Sequence, residues 1–179
     1  PEARRARFAT RYGLPDQDAA VLTADRGLAD YFEAAVAAYA EPKKLANWIM
    51  TEVMREFSAA NVTAAACAFT PAQLAALVKL VEEGAISGTV GKQVLAELFP
   101  AGGDPAAYVK DKGLAQISDA SSLDAAVAEV LAANPRECER YRAGEKKLTG
   151  FFVGQVMKKT KGQANPKLVA ELLAKHLGG

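Results

Sequence analysis

Apolar residues recur at intervals of three and four along most of this sequence, and no other feature limits the possible folds as strongly. The clearest example runs from Leu28 to Tyr39, where they follow the i, i+3, i+4, i+7, i+8, i+11 pattern of one helix face. Helix-start signals punctuate the pattern, such as Asp25, which can cap the helix that follows it, and the capping box Thr70-Pro71-Ala72-Gln73. No stretch alternates apolar and polar residues for long enough to form a strand. The pattern predicts an all-α protein of about ten short helices in two small helical bundles.

A glycine-rich break divides the sequence. Pro100-Ala101-Gly102-Gly103 is followed by Asp104-Pro105, which can cap and begin a new helix. We therefore expect one helical domain over residues 1–103 and a second over 104–179. The two parts differ in charge, since the first has a net charge of −2 and the second of +3. Residues 136–175 contain 10 Lys and Arg against 4 Asp and Glu, which is typical of a unit that binds nucleic acid.

The sequence contains no arrangement that is typical of a catalytic or metal site. An enzyme needs a nucleophile beside a base, a metal cluster or paired carboxylates in a pocket, and we find none at a useful spacing. Cys67 and Cys138 are too few for a zinc site or a disulfide framework, so we interpret them as buried apolar residues in a reducing compartment. The single histidine, His176, suits a helix C-terminus. No apolar run is long enough to span a membrane.

The stretch Gly150–Pro166 combines glycines, aromatic residues and lysines in one predicted helix. At about 100° per residue, one narrow face carries Lys147, Gly150, Gly154, Lys158 and Lys161. Each glycine costs about 1 kcal/mol relative to alanine, so some interaction must compensate. One interpretation is a neighbouring helix packed closely over Gly150 and Gly154. The other is a phosphate backbone that approaches the bare strip between the lysines.

The rest of this helix is expected to be buried, and its end is expected at a glycine. The apolar residues on the remaining circumference are Phe151, Phe152, Val153, Val156 and Met157. Gly162 is predicted to end the helix with a positive φ. Asn165-Pro166 is predicted to cap and begin the last helix.

Three runs near the end of the sequence resemble the C-terminal signature of the GatB/YqeY family. They are Arg140-Tyr141-Arg142-Ala143-Gly144, Phe152-Val153-Gly154-Gln155-Val156-Met157-Lys158 and Thr160-Lys161-Gly162-Gln163-Ala164-Asn165-Pro166. Earlier runs are similar to the same family, namely Gly113-Leu114-Ala115-Gln116-Ile117-Ser118-Asp119, Ala46-Asn47-Trp48, Arg11-Tyr12-Gly13-Leu14, Leu22-Thr23 and Tyr31-Phe32-Glu33. The resemblance covers essentially the whole chain.

The resemblance implies a fragment of a tRNA-dependent amidotransferase subunit: a helical linker domain followed by a three-helix YqeY-like tail domain. The sequence also begins at Pro1 without a methionine, as a piece of a longer protein would. In the family, a missing N-terminal cradle domain holds ATP and Mg, and it phosphorylates the side-chain carboxylate of Glu or Asp misacylated onto tRNA. Ammonia from the amidase subunit then displaces phosphate, which gives Gln-tRNA(Gln) or Asn-tRNA(Asn). The whole protein therefore resembles part of a glutamine-hydrolysing, ATP-dependent carbon–nitrogen ligase.

The resemblance further implies that this region holds the tRNA body without a catalytic site, cofactor or metal of its own. The expected partners are tRNA and the amidotransferase subunits A and C in the cytoplasm, with no DNA and no membrane. The expected tRNA-binding residues are Lys158, Lys161, Lys147, Lys146, Arg142, Gly162 and Gln163. Lys159 projects to the opposite side of the helix and is expected to be mainly structural. The alternative is a protein-interaction module that docks onto sister subunits without contacting RNA.

Three positions depart from the family pattern. Glu145 replaces a common lysine and is expected to weaken the basic patch beside Lys146. Gln163 replaces another common lysine, whereas Lys159 replaces a common alanine, so the basic surface is expected to be shifted. Cys138 replaces an aliphatic residue and is interpreted as packing only.

Overall fold

The computed structural model describes residues 2–178. These residues are all-α, as the sequence predicts. An isolated parallel β-bridge pairs Ile117 with Ala164. A π-helical stretch, Ile49–Val53, joins the fourth and fifth helices, and a 3-10 turn, Ala64–Ala66, follows them. The helices before residue 113 are α1 (Glu2–Arg11), α2 (Asp16–Thr23), α3 (Arg26–Ala38), α4 (Pro42–Trp48), α5 (Met54–Ala60), α6 (Pro71–Glu82), α7 (Gly88–Leu98) and α8 (Pro105–Lys112). The later helices are α9 (Ala120–Ala133), α10 (Pro135–Arg142), α11 (Leu148–Lys159) and α12 (Pro166–His176).

Several helices begin at the caps that the sequence indicates. The Asp25 side chain accepts a hydrogen bond of 2.8 Å from the Leu28 N–H at the start of α3. At the start of α6, Thr70 and Gln73 form the reciprocal pair of a capping box. Asn165 accepts hydrogen bonds from the first N–H groups of α12. These local interactions satisfy donors that a helix leaves unpaired at its start, which is why the sequence alone could place them.

The chain forms two compact units, and their composition differs from the predicted division at residue 103. The first unit comprises the chain up to Glu83 together with Gly91–Gly113, and the second comprises Gly84–Val90 and the chain from Leu114 onward. Because α8 packs against α6, it belongs to the first unit rather than the second. The segment Gly84–Val90 belongs to the second unit, where the Gln116 N–H donates to the Ala85 carbonyl at 2.8 Å.

The core of the first unit lies where α3 packs against α6. Phe32 and Leu74 are fully buried there, and Trp48 is buried as the sequence predicts. The Tyr31 hydroxyl donates to the Phe69 carbonyl at 2.8 Å, and burial raises the pKa of this phenol well above its usual range. The phenol is therefore neutral at any physiological pH and keeps this buried hydrogen bond.

The second unit packs α9, α11 and α12 against one another, with α10 beside α9 and α11. Its described part therefore has four helices rather than the predicted three, because α10 is a separate short helix between α9 and α11. Buried side chains from all four helices form one core, among them Leu123, Cys138, Phe152 and Leu173. The loop after α8 crosses this unit: the Ile117 N–H donates to the Gln163 carbonyl at 2.7 Å, and the Asn165 N–H donates to the Ile117 carbonyl at 3.0 Å.

Candidate nucleic-acid interface

Helix α11 presents two different faces. Phe152 and Val156 are fully buried in the core of the second unit. On the opposite side, Gly150, Gly154 and Lys158 are exposed. The exposed face of α11 therefore has almost no side chains in its middle and a cation at its C-terminal end.

The two glycines of this face are not covered by a neighbouring helix. A Cβ atom built on Gly150 or Gly154 would meet no heavy atom within 4 Å, and both residues have ordinary helical backbone angles. The interpretation of Gly150 and Gly154 as close-packing glycines is therefore wrong for the described part of the chain. The strip that they form, called here the glycine strip, is open to solvent.

The five predicted tRNA-binding cations are exposed, and no carboxylate oxygen of residues 2–178 lies within 4.0 Å of their charged groups. They are Arg142, Lys146, Lys147, Lys158 and Lys161. Lys146 does contact an aromatic ring, since its Nζ lies 4.2 Å from the centroid of Tyr141. These five residues, called here the cation set, therefore keep their charge available at the surface.

Two other basic residues of the same unit, Arg140 and Lys159, are paired with carboxylates, whereas Arg136, Lys167 and Lys175 make no ion pair with a described carboxylate. Lys159 forms an ion pair with Glu129 of α9, which agrees with the structural role expected for it. Arg140 donates to both carboxylate oxygens of Glu145, at 3.2 and 2.7 Å. This hydrogen bonding lowers the pKa of the Glu145 carboxyl. The carboxylate thus pairs with Arg140, and the positive charge of Lys147 also acts on it, so the weakening of the basic patch beside Lys146 stays a prediction.

The end of α11 differs from the prediction in one important respect. The helix ends at Lys159, so Lys161 lies beyond it in a left-handed conformation with φ 54°. The Lys161 N–H donates to the Lys158 carbonyl at 3.2 Å, and the Gly162 N–H donates to the Met157 carbonyl at 2.7 Å. These two bonds are those of a Schellman motif, in which glycine usually occupies the left-handed position that Lys161 holds here.

We expect Lys161→Gly to be more stable than Lys161→Ala by about 1 kcal/mol, because only glycine adopts this backbone conformation without a steric penalty. Both substitutions remove the same charge, so each is the control for the other. Urea denaturation followed by circular dichroism measures the difference. Equal stabilities would show that the turn does not need the left-handed conformation at residue 161.

Two predicted tRNA-binding residues have structural roles instead. Gly162 is buried with φ 77°, and its carbonyl accepts a hydrogen bond from the Ser87 hydroxyl. A Cβ atom at this position would lie 2.9 Å from Cγ2 of Thr89, so Gly162 cannot contact RNA and the prediction for it is wrong. The Gln163 side chain is half-buried and donates to the Ala115 carbonyl at 3.3 Å, which ties the turn to the loop after α8.

The exposure of Phe151, beside the glycine strip, differs from the prediction. Phe151 was expected to be buried, but it is 36% exposed, the one large apolar side chain in that class among residues 2–178. The width of the apolar arc on α11 suggested burial on several sides, whereas the neighbouring helices cover only the side that carries Phe152. No sequence signal pointed to Ser87, because the turn that it contacts lies 75 positions away.

The cysteines and the histidine, which could act in catalysis or bind a metal, do not form a site. Cys67 and Cys138 are free thiols, and burial raises the pKa of both. Near the C-terminus of α12, the His176 Nε2 atom lies 2.7 Å from Oδ1 of Asp124, which belongs to α9. Residues 2–178 contain no group of three His, Cys, Asp or Glu side chains that could hold a metal ion. None of the helices in this range is long and apolar enough to cross a membrane.

Comparison with known proteins identifies relatives over nearly the whole chain. A family model described as a GatB domain matches residues 30–177. The GatB subunit of the aspartyl/glutamyl-tRNA(Asn/Gln) amidotransferase from Solidesulfovibrio magneticus is 60% identical over 178 residues, which are 99% of this chain and 37% of that protein. The proteins of the same description from Thermosynechococcus vestitus and Myxococcus xanthus are 51% and 50% identical, over 99% of this chain and 35% and 37% of their own lengths. The chain thus spans little more than a third of these curated relatives.

Proposed function

The chain belongs to the GatB/YqeY family, and from that premise we propose that it is the tRNA-holding C-terminal part of the GatB subunit of a tRNA-dependent amidotransferase. The whole enzyme would convert Glu-tRNA(Gln) or Asp-tRNA(Asn) to Gln-tRNA(Gln) or Asn-tRNA(Asn), with subunits A and C as partners. We assign its ATP- and Mg-dependent step to a part of the GatB subunit outside these 179 residues. The role of this chain is to bind and orient the tRNA body.

The observation that carries the proposal is the exposed cation set, of which Lys158 lies on the same face of α11 as the glycine strip. An exposed lysine usually gains little from a surface ion pair, but an array of unpaired cations attracts a polyanion by releasing its counterions. The positive charge of the second unit is mostly unpaired among the described residues, with Arg140 and Lys159 as the paired exceptions, so the whole unit is suited to attract a polyanion. The open strip adds a place where a sugar–phosphate backbone can approach the helix closely.

Folded RNA fits this surface better than a small molecule. Double-stranded RNA is recognised mainly by its shape and by contacts to phosphates and 2′-hydroxyls, which requires cations held on a rigid support. Helix α11 is such a support, because Phe152 and Val156 anchor it in the core. The turn that carries Lys161 is fixed as well, through the hydrogen bond between Ser87 and Gly162.

We expect the wild-type chain to bind labelled tRNA with a steep salt dependence. If each of the five cations neutralises one phosphate, the slope of log affinity against log salt is about −3.5 to −4.5. The double substitution Lys158→Ala/Lys161→Ala should weaken binding and make the slope shallower by about 1.5 to 2. Fluorescence anisotropy across a salt series measures both quantities.

A charge-matched control is available in the first unit. Lys110→Ala/Lys112→Ala removes the same two charges from the last turn of α8, and it should leave both the affinity and the slope nearly unchanged. The proposal is wrong if wild type shows no salt-dependent binding, or if the Lys158/Lys161 variant binds like wild type. Equal losses in the two variants would show that net charge, rather than this surface, holds the tRNA.

A further inference from the structure

We propose that Phe151 stacks against an unpaired nucleobase of the tRNA bound at this surface, an inference that rests on the proposed function. Its ring is 36% exposed, although a side chain of this size and polarity is usually covered in a folded protein. The position of Phe151 within the candidate interface, its support and the charge around it favour RNA as the partner that covers it.

Phe151 lies at the edge of the glycine strip on α11. At about 100° per residue, it is roughly 100° from Gly150, roughly 60° from Gly154 and roughly 20° from Lys158 around the helix axis. The buried residues Phe152 and Val156 lie on the opposite side. A nucleic acid that covered the strip and contacted Lys158 would therefore reach the Phe151 ring as well.

The ring is also held in place before any partner binds. It packs edge-to-face against Phe152, with centroids 5.5 Å apart and an interplanar angle of 66°. Phe152 is fully buried and contacts the Tyr141 ring at a centroid distance of 6.3 Å. A Phe side chain has only two torsions, and the buried Phe152 already restricts the Phe151 ring on one side. Little conformational entropy is therefore lost when a base stacks on the ring.

The surrounding charges favour an RNA partner over an apolar protein partner. Lys158 lies on the same side of the helix as Phe151, about 10 Å along the axis, and makes no ion pair with a described carboxylate. Proteins recognise RNA loops by combining cations for the phosphates with an aromatic ring on which an unstacked base rests. Phe151 and its neighbours thus supply both parts of an RNA-binding arrangement.

The test compares substitutions that keep or remove the aromatic face. Phe151→Leu keeps an apolar side chain but not the ring, and we expect it to lower tRNA affinity about five- to a hundredfold, the usual effect of losing one stacked base. Phe151→Tyr and Phe151→Trp should bind within a few-fold of wild type. The salt slope should be the same in all four proteins, because no charge changes. Thermal unfolding shows whether each variant is folded at the assay temperature, and Phe151→Leu is expected to melt at a slightly lower temperature because it loses the packing against Phe152.

A fluorescence measurement reports the contact directly. Phe151→Trp places an indole at the proposed site, and the difference from wild type removes the contribution of the buried Trp48. Quenching of this added signal by tRNA, at a concentration set by the measured affinity, is the expected result. Absence of quenching in a variant that binds tRNA normally would overturn the proposal.

The outcomes separate this proposal from the proposed function. If wild type binds tRNA with the expected salt slope but Phe151→Leu binds equally well, only the stacking contact is wrong. If wild type does not bind tRNA, both are wrong. If Phe151→Leu keeps its tRNA affinity but fails to assemble with subunits A and C, Phe151 is a protein-docking residue and the stacking proposal is overturned.

Discussion

Alanine at both Gly150 and Gly154 is expected to make the protein more stable and, at the same time, a weaker binder of tRNA. Both glycines have helical backbone angles and open space at the Cβ position, so nothing in the described chain opposes a methyl group there. Alanine is favoured over glycine in a helix interior by about 1 kcal/mol, which gives about 2 kcal/mol for the pair. A gain of this size is readily measured by urea denaturation.

The opposite effect on binding follows from the close approach that the strip allows. Two methyl groups would hold a sugar–phosphate backbone away from the helix and lengthen its contacts with the cation set. Overfilling a fitted contact costs about 1–3 kcal/mol, or roughly a five- to hundredfold loss of affinity. The salt slope should change little, since every cation is retained.

Gly88→Ala is the matched control, because Gly88 belongs to the same unit and also has open space at its Cβ position. It should leave tRNA affinity unchanged. Higher stability with full affinity in the Gly150/Gly154 variant would show that the strip is not a contact surface. Lower stability of this chain would show that alanine does not fit at these positions and would contradict the prediction.

Gly102→Ala is expected to lower the free energy of unfolding by about 3 kcal/mol, the largest loss that we predict for a single methyl group in this chain. Gly102 has φ 75°, which alanine adopts only with strain. Its Cβ would also lie 2.5 Å from the carbonyl oxygen of Ala68. Because that oxygen is part of the backbone, it cannot rotate away as a side chain would, so the clash must shift the chain itself.

Gly113→Ala separates the cost of the positive φ from the cost of the clash with Ala68. Gly113 belongs to the same unit and has φ 64°, but a Cβ there would meet no heavy atom within 4 Å. It should lose only the conformational part, about 1 kcal/mol. Chemical denaturation of both variants, followed by the fluorescence of Trp48 in the same unit, measures the difference. Equal losses would show that the contact with Ala68 relaxes without penalty.

The sequence was informative wherever the structure depends on neighbouring residues. The all-α class follows from apolar spacing and from the lack of alternating stretches. The starts of α3, α6 and α12 follow from caps that act within one helical turn, such as Asp25 and Thr70. The sequence also shows that Lys and Arg concentrate in residues 136–175, which include the cation set, while the role of that set in binding tRNA stays a prediction.

The sequence was less informative wherever the outcome depends on distant contacts. Periodicity shows which side chains share an arc of α11, but it does not show which part of the arc other helices cover. For that reason Phe151 was assigned to the core, and the glycine strip was interpreted as either covered or open. The sequence predicts the side of α11 to which Lys159 projects. It does not predict the pairing with Glu129, because Glu129 lies on another helix. Membership of Gly84–Val90 in the second unit depends on hydrogen bonds to residues far along the chain.

The contribution of Gly84–Val90 limits where this polypeptide can be shortened. A gene truncated at the glycine-rich break would encode residues 104–179 and lose Ile86, Ser87 and Val90, all of which are buried. The Gly162 carbonyl would then have no hydroxyl donor, and Thr89 would no longer fill the space beside it. Engineered versions that are meant to display Lys161 in its native turn should therefore begin before Gly84.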